Sequence, residues 1–93
     1  MYYRVTIYGF DSSRMEEALE AMNACRDELQ TIDGLQVVHD CQISDDEGMV
    51  ISRWDSEAAA EAAQPQIQAV LGRMAPFMTS MPEVKAGKVV WEL

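Results

Sequence analysis

The stretch Gly48–Ala63, GMVISRWDSEAAAEAA, decides how the chain is read. Met49 to Trp54 packs β-branched and aromatic residues into a short run just after a glycine, the composition of a strand leaving a turn. Asp55 and Ser56 then offer side-chain oxygens to the free N–H groups of a helix that opens at Glu57. A strand that ends in a large aromatic and turns at once into an alanine-rich helix must fold that helix back over its own sheet.

Upstream, the same unit occurs once more. Tyr3, Val5 and Ile7 alternate with Arg4, Thr6 and Tyr8, giving a first strand from Tyr2 to Phe10 with one apolar and one mixed face. Ser13 and Glu16 have the spacing of a capping box, and Met15, Ala18, Leu19, Met22, Leu29 and Ile32 recur at helical spacing. That predicts an amphipathic helix to about Thr31, closed by Gly34. Leu35 to Ser44 reads as a second strand, with Val37, His39, Cys41 and Ile43 on one face and Val38, Asp40 and Gln42 on the other. The acidic run Asp45–Gly48 is a turn of hairpin length.

Downstream, Pro65 would remove a donor and clash inside a helix, so a break is expected at Gln64 with a new turn opening at Pro65. Ile67, Val70, Leu71, Met74 and Met78 continue an apolar stripe, and Val84 to Leu93 reads as the last strand. The order βαββαβ with right-handed crossovers predicts an α+β, ferredoxin-like domain over residues 1–93, a four-stranded antiparallel sheet with both helices on one face. The other face would then carry Tyr8, Val38, Val50, Trp54 and Val90 into water, which calls for a cover. A second copy of the chain is the simplest one.

Composition narrows the partners. The 93 residues make one domain, and a net charge of −9 works against nucleic acid and against anionic membranes. No run approaches a membrane span and the first residues lack a signal peptide's apolar segment, so the cytoplasm is the expected compartment. Cys25 and Cys41 lack the spacing of a metal or disulfide motif, and Asp45, Asp46 and Glu47 alone make a poor metal site. Neither a metal nor another cofactor is expected.

Ser52-Arg53-Trp54-Asp55-Ser56-Glu57-Ala58-Ala59, Gln64-Pro65-Gln66-Ile67-Gln68 and Pro82-Glu83-Val84 together resemble the dimeric α/β-barrel superfamily, and within it the antibiotic-biosynthesis-monooxygenase-like (ABM-like) proteins. The resemblance spans the whole domain and implies a homodimer. It also implies a cavity between sheet and helices for a small aromatic or polyketide-derived ligand. The enzymes among such proteins include cofactor-free oxygenases of anthrones and quinols, and haem-degrading oxygenases. The anthrone oxygenases place an asparagine four residues before the tryptophan and a tyrosine on the next helix, where this chain has Val50 and Ala60. The haem-degrading pattern meets Thr6 and Ala63 at two of its positions and finds no histidine on the second helix; Gln66 stands where many relatives have one.

The resemblance points to Arg4, Thr6, Tyr8, Asp40 and Trp54 as substrate-binding candidates. Arginine could hold an enolate or phenolate, Tyr8 could relay a proton, and Trp54 could stack on a flat ligand. Packing explains Trp54 as well, and an intersubunit ion pair explains Arg4. His39, the single histidine, shares its face with Val37 and Cys41 and reads as a core or edge residue, and Trp91 as packing in the core or dimer seam. Two functions follow: a cofactor-independent monooxygenase of a small aromatic, quinol or polyketide-like substrate, or a non-catalytic dimeric domain that binds a small ligand.

Overall fold

A computed structural model describes all 93 residues. Strand β1 (Tyr2–Gly9) leads through a 3-10 turn (Ser12–Arg14) into helix α1 (Met15–Gln30). Strands β2 (Leu35–Gln42) and β3 (Glu47–Trp54) form a hairpin, followed by α2 (Glu57–Ala62), α3 (Gln64–Met74), a 3-10 turn (Ala75–Phe77) and β4 (Glu83–Lys88). The sheet order is β2-β3-β1-β4 and all pairs are antiparallel. This is the ferredoxin-like arrangement expected from the order of elements.

The punctuation works as the residue chemistry requires. Gly34 takes φ 82°, the left-handed conformation that closes α1, and Ser56 accepts from the Ala59 N–H at 3.1 Å to open α2. The second helical stretch is divided at Ala63, with Pro65 in the first turn of α3 as its missing N–H allows. At the start of α1 the capping differs from expectation. Asp11 caps the 3-10 turn, its carboxylate accepting from the Ser13 N–H at 3.0 Å and hydroxyl at 2.6 Å, and α1 itself has no side-chain cap. The 3-10 turn sets the helix start back to Met15, so Ser13 never meets the N–H of Glu16.

Two further expectations are corrected. The last strand ends at Lys88 rather than Leu93, because β4 pairs only with β1 and β1 runs out at Tyr2, the partner of Lys88. One bond beyond, Val89 N–H to Met1 O at 3.0 Å, finishes the ladder, and Val90, Trp91 and Leu93 are solvent-exposed in the chain. Trp91 therefore takes no part in the core of its own chain. The sheet faces are also exchanged. Tyr8, Val38, Val50 and Trp54 lie under the helices, sharing a cavity with α1 and α3 residues. Strand alternation then leaves Tyr3, Val5 and Ile7 of β1, with Met49 and Ile51 of β3, on the helix-free face. Alternation separates two sets of residues without saying which set the helices cover; the indole at the β3–α2 junction goes where α2 folds back.

The compact part of the interior is small. Ile32, Trp54, Ala60 and Ala63 form the buried cluster, with Tyr2, Leu29, Leu35, Ala59 and Ile67 against it. It sits at the end of the sheet where β3 passes into α2. The helices are tied across their exposed side by the ion pair of Arg73 on α3 with Glu28 on α1.

Candidate functional site

Beyond the buried cluster the helices stand off the sheet and enclose a cavity of about 410 Å³, a size typical of small-molecule sites. Its closed end is Trp54, whose indole has no solvent-accessible surface and donates from Nε1 to Ser52 Oγ at 2.9 Å. At the opposite end stand Phe10 and Phe77, the second ring lying under the Arg14 guanidinium at 4.6 Å. Met15, Met22, Leu71 and Met74 of the helices form an apolar roof. Asn23, Arg26, Gln30 and Gln36 border a side opening between α1 and β2, which shares Leu19, Val38 and Asp40 with the cavity.

Against these apolar walls the polar groups are few and all come from the sheet. Arg4, Thr6 and Tyr8 project from alternate positions of β1, and Asp40 joins them from β2. Arg4 takes part in none of the chain's three ion pairs. Its partner is the Gln64 side chain at the start of α3: with the amide turned so that its oxygen faces the guanidinium, the orientation that satisfies both of its polar atoms, that oxygen accepts from Nη1 at 2.8 Å and Nη2 at 3.3 Å. The break at Ala63 thus sets a neutral acceptor beside Arg4 and leaves its charge uncompensated.

Tyr8 and Asp40 form the closest polar contact in the cavity, the phenol donating to Asp40 Oδ1 at 2.6 Å. One strand, β3, separates them, and its residue opposite Tyr8 is Gly48. A Cβ there would lie 2.5 Å from both Cζ and Oη of Tyr8, so the ring reaches β2 only because position 48 has no side chain. Burial, then the hydrogen bond to Asp40 and its charge, raises the Tyr8 phenol well above its ordinary pKa, so it remains a donor at neutral pH. Burial also pushes Asp40 up, with the Tyr8 hydrogen bond pulling part of the way back.

All five candidate residues border one cavity, but unequally. Arg4, Thr6, Tyr8 and Asp40 face its open space, whereas Trp54 is sealed behind it. His39 is exposed on β2, paired with Ile51, and takes no part. From sequence alone Gly48 belongs to a turn and Gln64 to the helix break, and neither has a role in the site. A glycine entering a strand is a cue for close approach, though it does not name the ring that approaches; nothing local marks Gln64. Both cysteines are free, Cys25 buried and Cys41 half-buried. No three His, Cys, Asp or Glu side chains converge as a metal site would require. No helix is long and apolar enough to cross a membrane.

No protein-family model matches the sequence, and no curated protein sequence matches it either. Solved structures match throughout. A "putative antibiotic biosynthesis monooxygenase" from Nitrosomonas europaea superposes with a TM-score of 0.79 at 12% identity, covering 98% of this chain and 100% of that one. Another so named, from Caulobacter crescentus CB15, gives 0.81 at 14% identity over 97% of this chain and 90% of its own. A protein of unknown function from Nitrosomonas europaea gives 0.79 at 10% identity, covering 99% and 91%. The chain therefore has the fold of structures that carry the ABM name, as its sequence resemblance implied.

Proposed function

We propose that this chain is a homodimeric, ABM-like small-molecule domain acting as a cofactor-independent monooxygenase on a flat, weakly acidic aromatic, quinol or polyketide-like substrate. The observation that carries this reading is the row of Arg4, Thr6, Tyr8 and Asp40 along one wall of an otherwise apolar cavity. An uncompensated guanidinium in such surroundings favours the ionised form of a ligand through a charge-assisted hydrogen bond. The apolar roof holds the ring system and keeps water from the reacting carbon. For an anthrone-type methylene the balance closes with dioxygen alone: the carbanion is oxidised, one oxygen atom becomes the new carbonyl and the other leaves as water. Arg4 stabilises the anion; Thr6 offers a hydroxyl between it and Tyr8.

Two features support the homodimer. Tyr3, Val5, Ile7, Met49 and Ile51 form an apolar sheet face without helices, and Val90, Trp91 and Leu93 project into solvent beyond β4. The competing reading, a dimeric ligand-binding domain without catalysis, has its own support. Val50 and Ala60 stand where the anthrone oxygenases among ABM-like proteins have asparagine and tyrosine, and Trp54 offers no open face for stacking. A panel of quinols and anthrones separates the two. Oxygen uptake above the spontaneous rate, lost in Arg4→Met, is the outcome expected of the oxygenase. Saturable binding without uptake would establish the second reading.

A further inference from the structure

We infer that Asp40 is the proton acceptor of the cavity, and that Tyr8, held across β3 by the absence of a side chain at Gly48, is its positioning residue. This rests on the ligand-binding reading of the cavity and names the base that the reading requires.

The argument begins with free valences. Asp40 Oδ1 receives the Tyr8 hydroxyl at 2.6 Å, and Oδ2 makes no hydrogen bond within the chain. Asp40 borders both the cavity and its side opening, so the free oxygen belongs to a carboxylate that a ligand and water can each reach. Other candidates fail on chemistry. The titratable and charged groups around the cavity are Arg4 and Tyr8 on β1, Asp40 and Cys41 on β2, and Arg26 of α1 at the side opening. The β3 and α3 walls supply only Val50, Ser52, Trp54, Ile67, Val70, Leu71 and Met74. An arginine is not a base at neutral pH, and the Tyr8 proton is committed to Asp40. Cys41 belongs to the opposite alternation set from Val38 and Asp40, pairing with Met49.

The placement also suits the division of labour. On strand spacings, Arg4 and Asp40 lie roughly 12 Å apart between Cα atoms, two residues along and two strands across. A ligand of more than one ring can set its anionic oxygen at Arg4 while an acidic C–H meets Oδ2. The step is a proton transfer and nothing else. The C–H bond breaks, its electron pair delocalises into the ring as an enolate, and the proton passes to Oδ2; Tyr8 keeps its own proton throughout. No redox change occurs at this stage.

The step can be read without oxidation. Anthrone in deuterated buffer under nitrogen exchanges its methylene protons whenever a base removes them, and proton NMR follows the loss while line broadening reports binding. The unmodified chain should exchange bound anthrone faster than buffer does. Asp40→Asn, with the Tyr8 hydrogen bond still possible, should reduce this at least about 100-fold, the lower range for a general base, with line broadening unchanged. Tyr8→Phe removes a donor that stabilises the carboxylate, so the limb of the pH–rate profile on the acidic side should move to higher pH while the plateau persists. A purely structural Tyr8 would lower the rate equally at every pH. Exchange that survives Asp40→Asn, or binding without any accelerated exchange, would overturn the assignment and leave the cavity reading intact. Failure of the unmodified chain to bind anthrone would overturn the assignment together with that reading for this ligand class.

Discussion

Replacing Trp54 with alanine tests the interior of this domain most directly. The indole is wholly buried against Ile32, Ala60 and Ala63, and it donates one hydrogen bond, to Ser52. Truncating a buried tryptophan to alanine costs about 3–5 kcal/mol. The lost hydrogen bond adds little, because Ser52 borders the cavity and can turn its hydroxyl there. A chain of 93 residues has a total stability of about 5–14 kcal/mol on the usual per-residue scale. At the middle of both ranges the variant therefore loses about two-fifths of its stability. Its melting temperature should fall by roughly 12–40 °C, taking about 4–8 °C per kcal/mol for a domain of this size. Urea titrations followed by far-ultraviolet circular dichroism, at several protein concentrations because dimerisation adds to stability, would give the difference directly. Trp54→Phe should lose far less. A loss below about 1 kcal/mol in Trp54→Ala would refute the reasoning, because it would mean that the indole is not the keystone of the buried cluster.

Three other outcomes are expected. Gly48→Ala should push the Tyr8 ring off β2 at a modest stability cost of about 1–2 kcal/mol, since the clash is with the movable end of a side chain; the Tyr8 hydroxyl resonance in NMR, slowed in exchange by Asp40, should broaden or vanish. Asp40→Asn should gain stability relative to the parent as pH rises. Burial raises the folded-state pKa of this carboxyl, so folding with the charged form is penalised above the unfolded value and the penalty is absent in acid; paired urea titrations across that window would expose the wrong sign. Val5→Glu, on the helix-free face, should convert a dimer at micromolar concentration to monomer in sedimentation, and an unmodified chain that already sediments as a monomer would remove the dimer reading.

The sequence was a good guide wherever one residue type has one structural consequence. The β3–α2 junction, the Gly34 stop and the division before Pro65 each rest on such a residue, and each stands where expected or within a residue of it. Arg4, Thr6, Tyr8 and Asp40 were legible as one face because strands alternate. What escaped depended on distant partners. The length of β4 is set by where β1 begins, and the covered face of the sheet by the path of α2. The Tyr8–Asp40 contact needs a register that brings Gly48 beside Tyr8, and Gln64 meets Arg4 only once α3 has docked. No local pattern encodes those.

The cavity occupies the middle of the layer between sheet and helices, where a domain ordinarily keeps its densest packing. A ligand that fits would complete the interior rather than adhere to a finished one. By mass action, a ligand at about 100 times its dissociation constant stabilises the folded chain by about 2.7 kcal/mol. At about 4–8 °C per kcal/mol that is a rise of roughly 10–20 °C in melting temperature. So large a response makes thermal denaturation a practical search instrument. A compound library can be ranked by the temperature at which the chain unfolds, and its natural ligand class identified before any reaction is assayed.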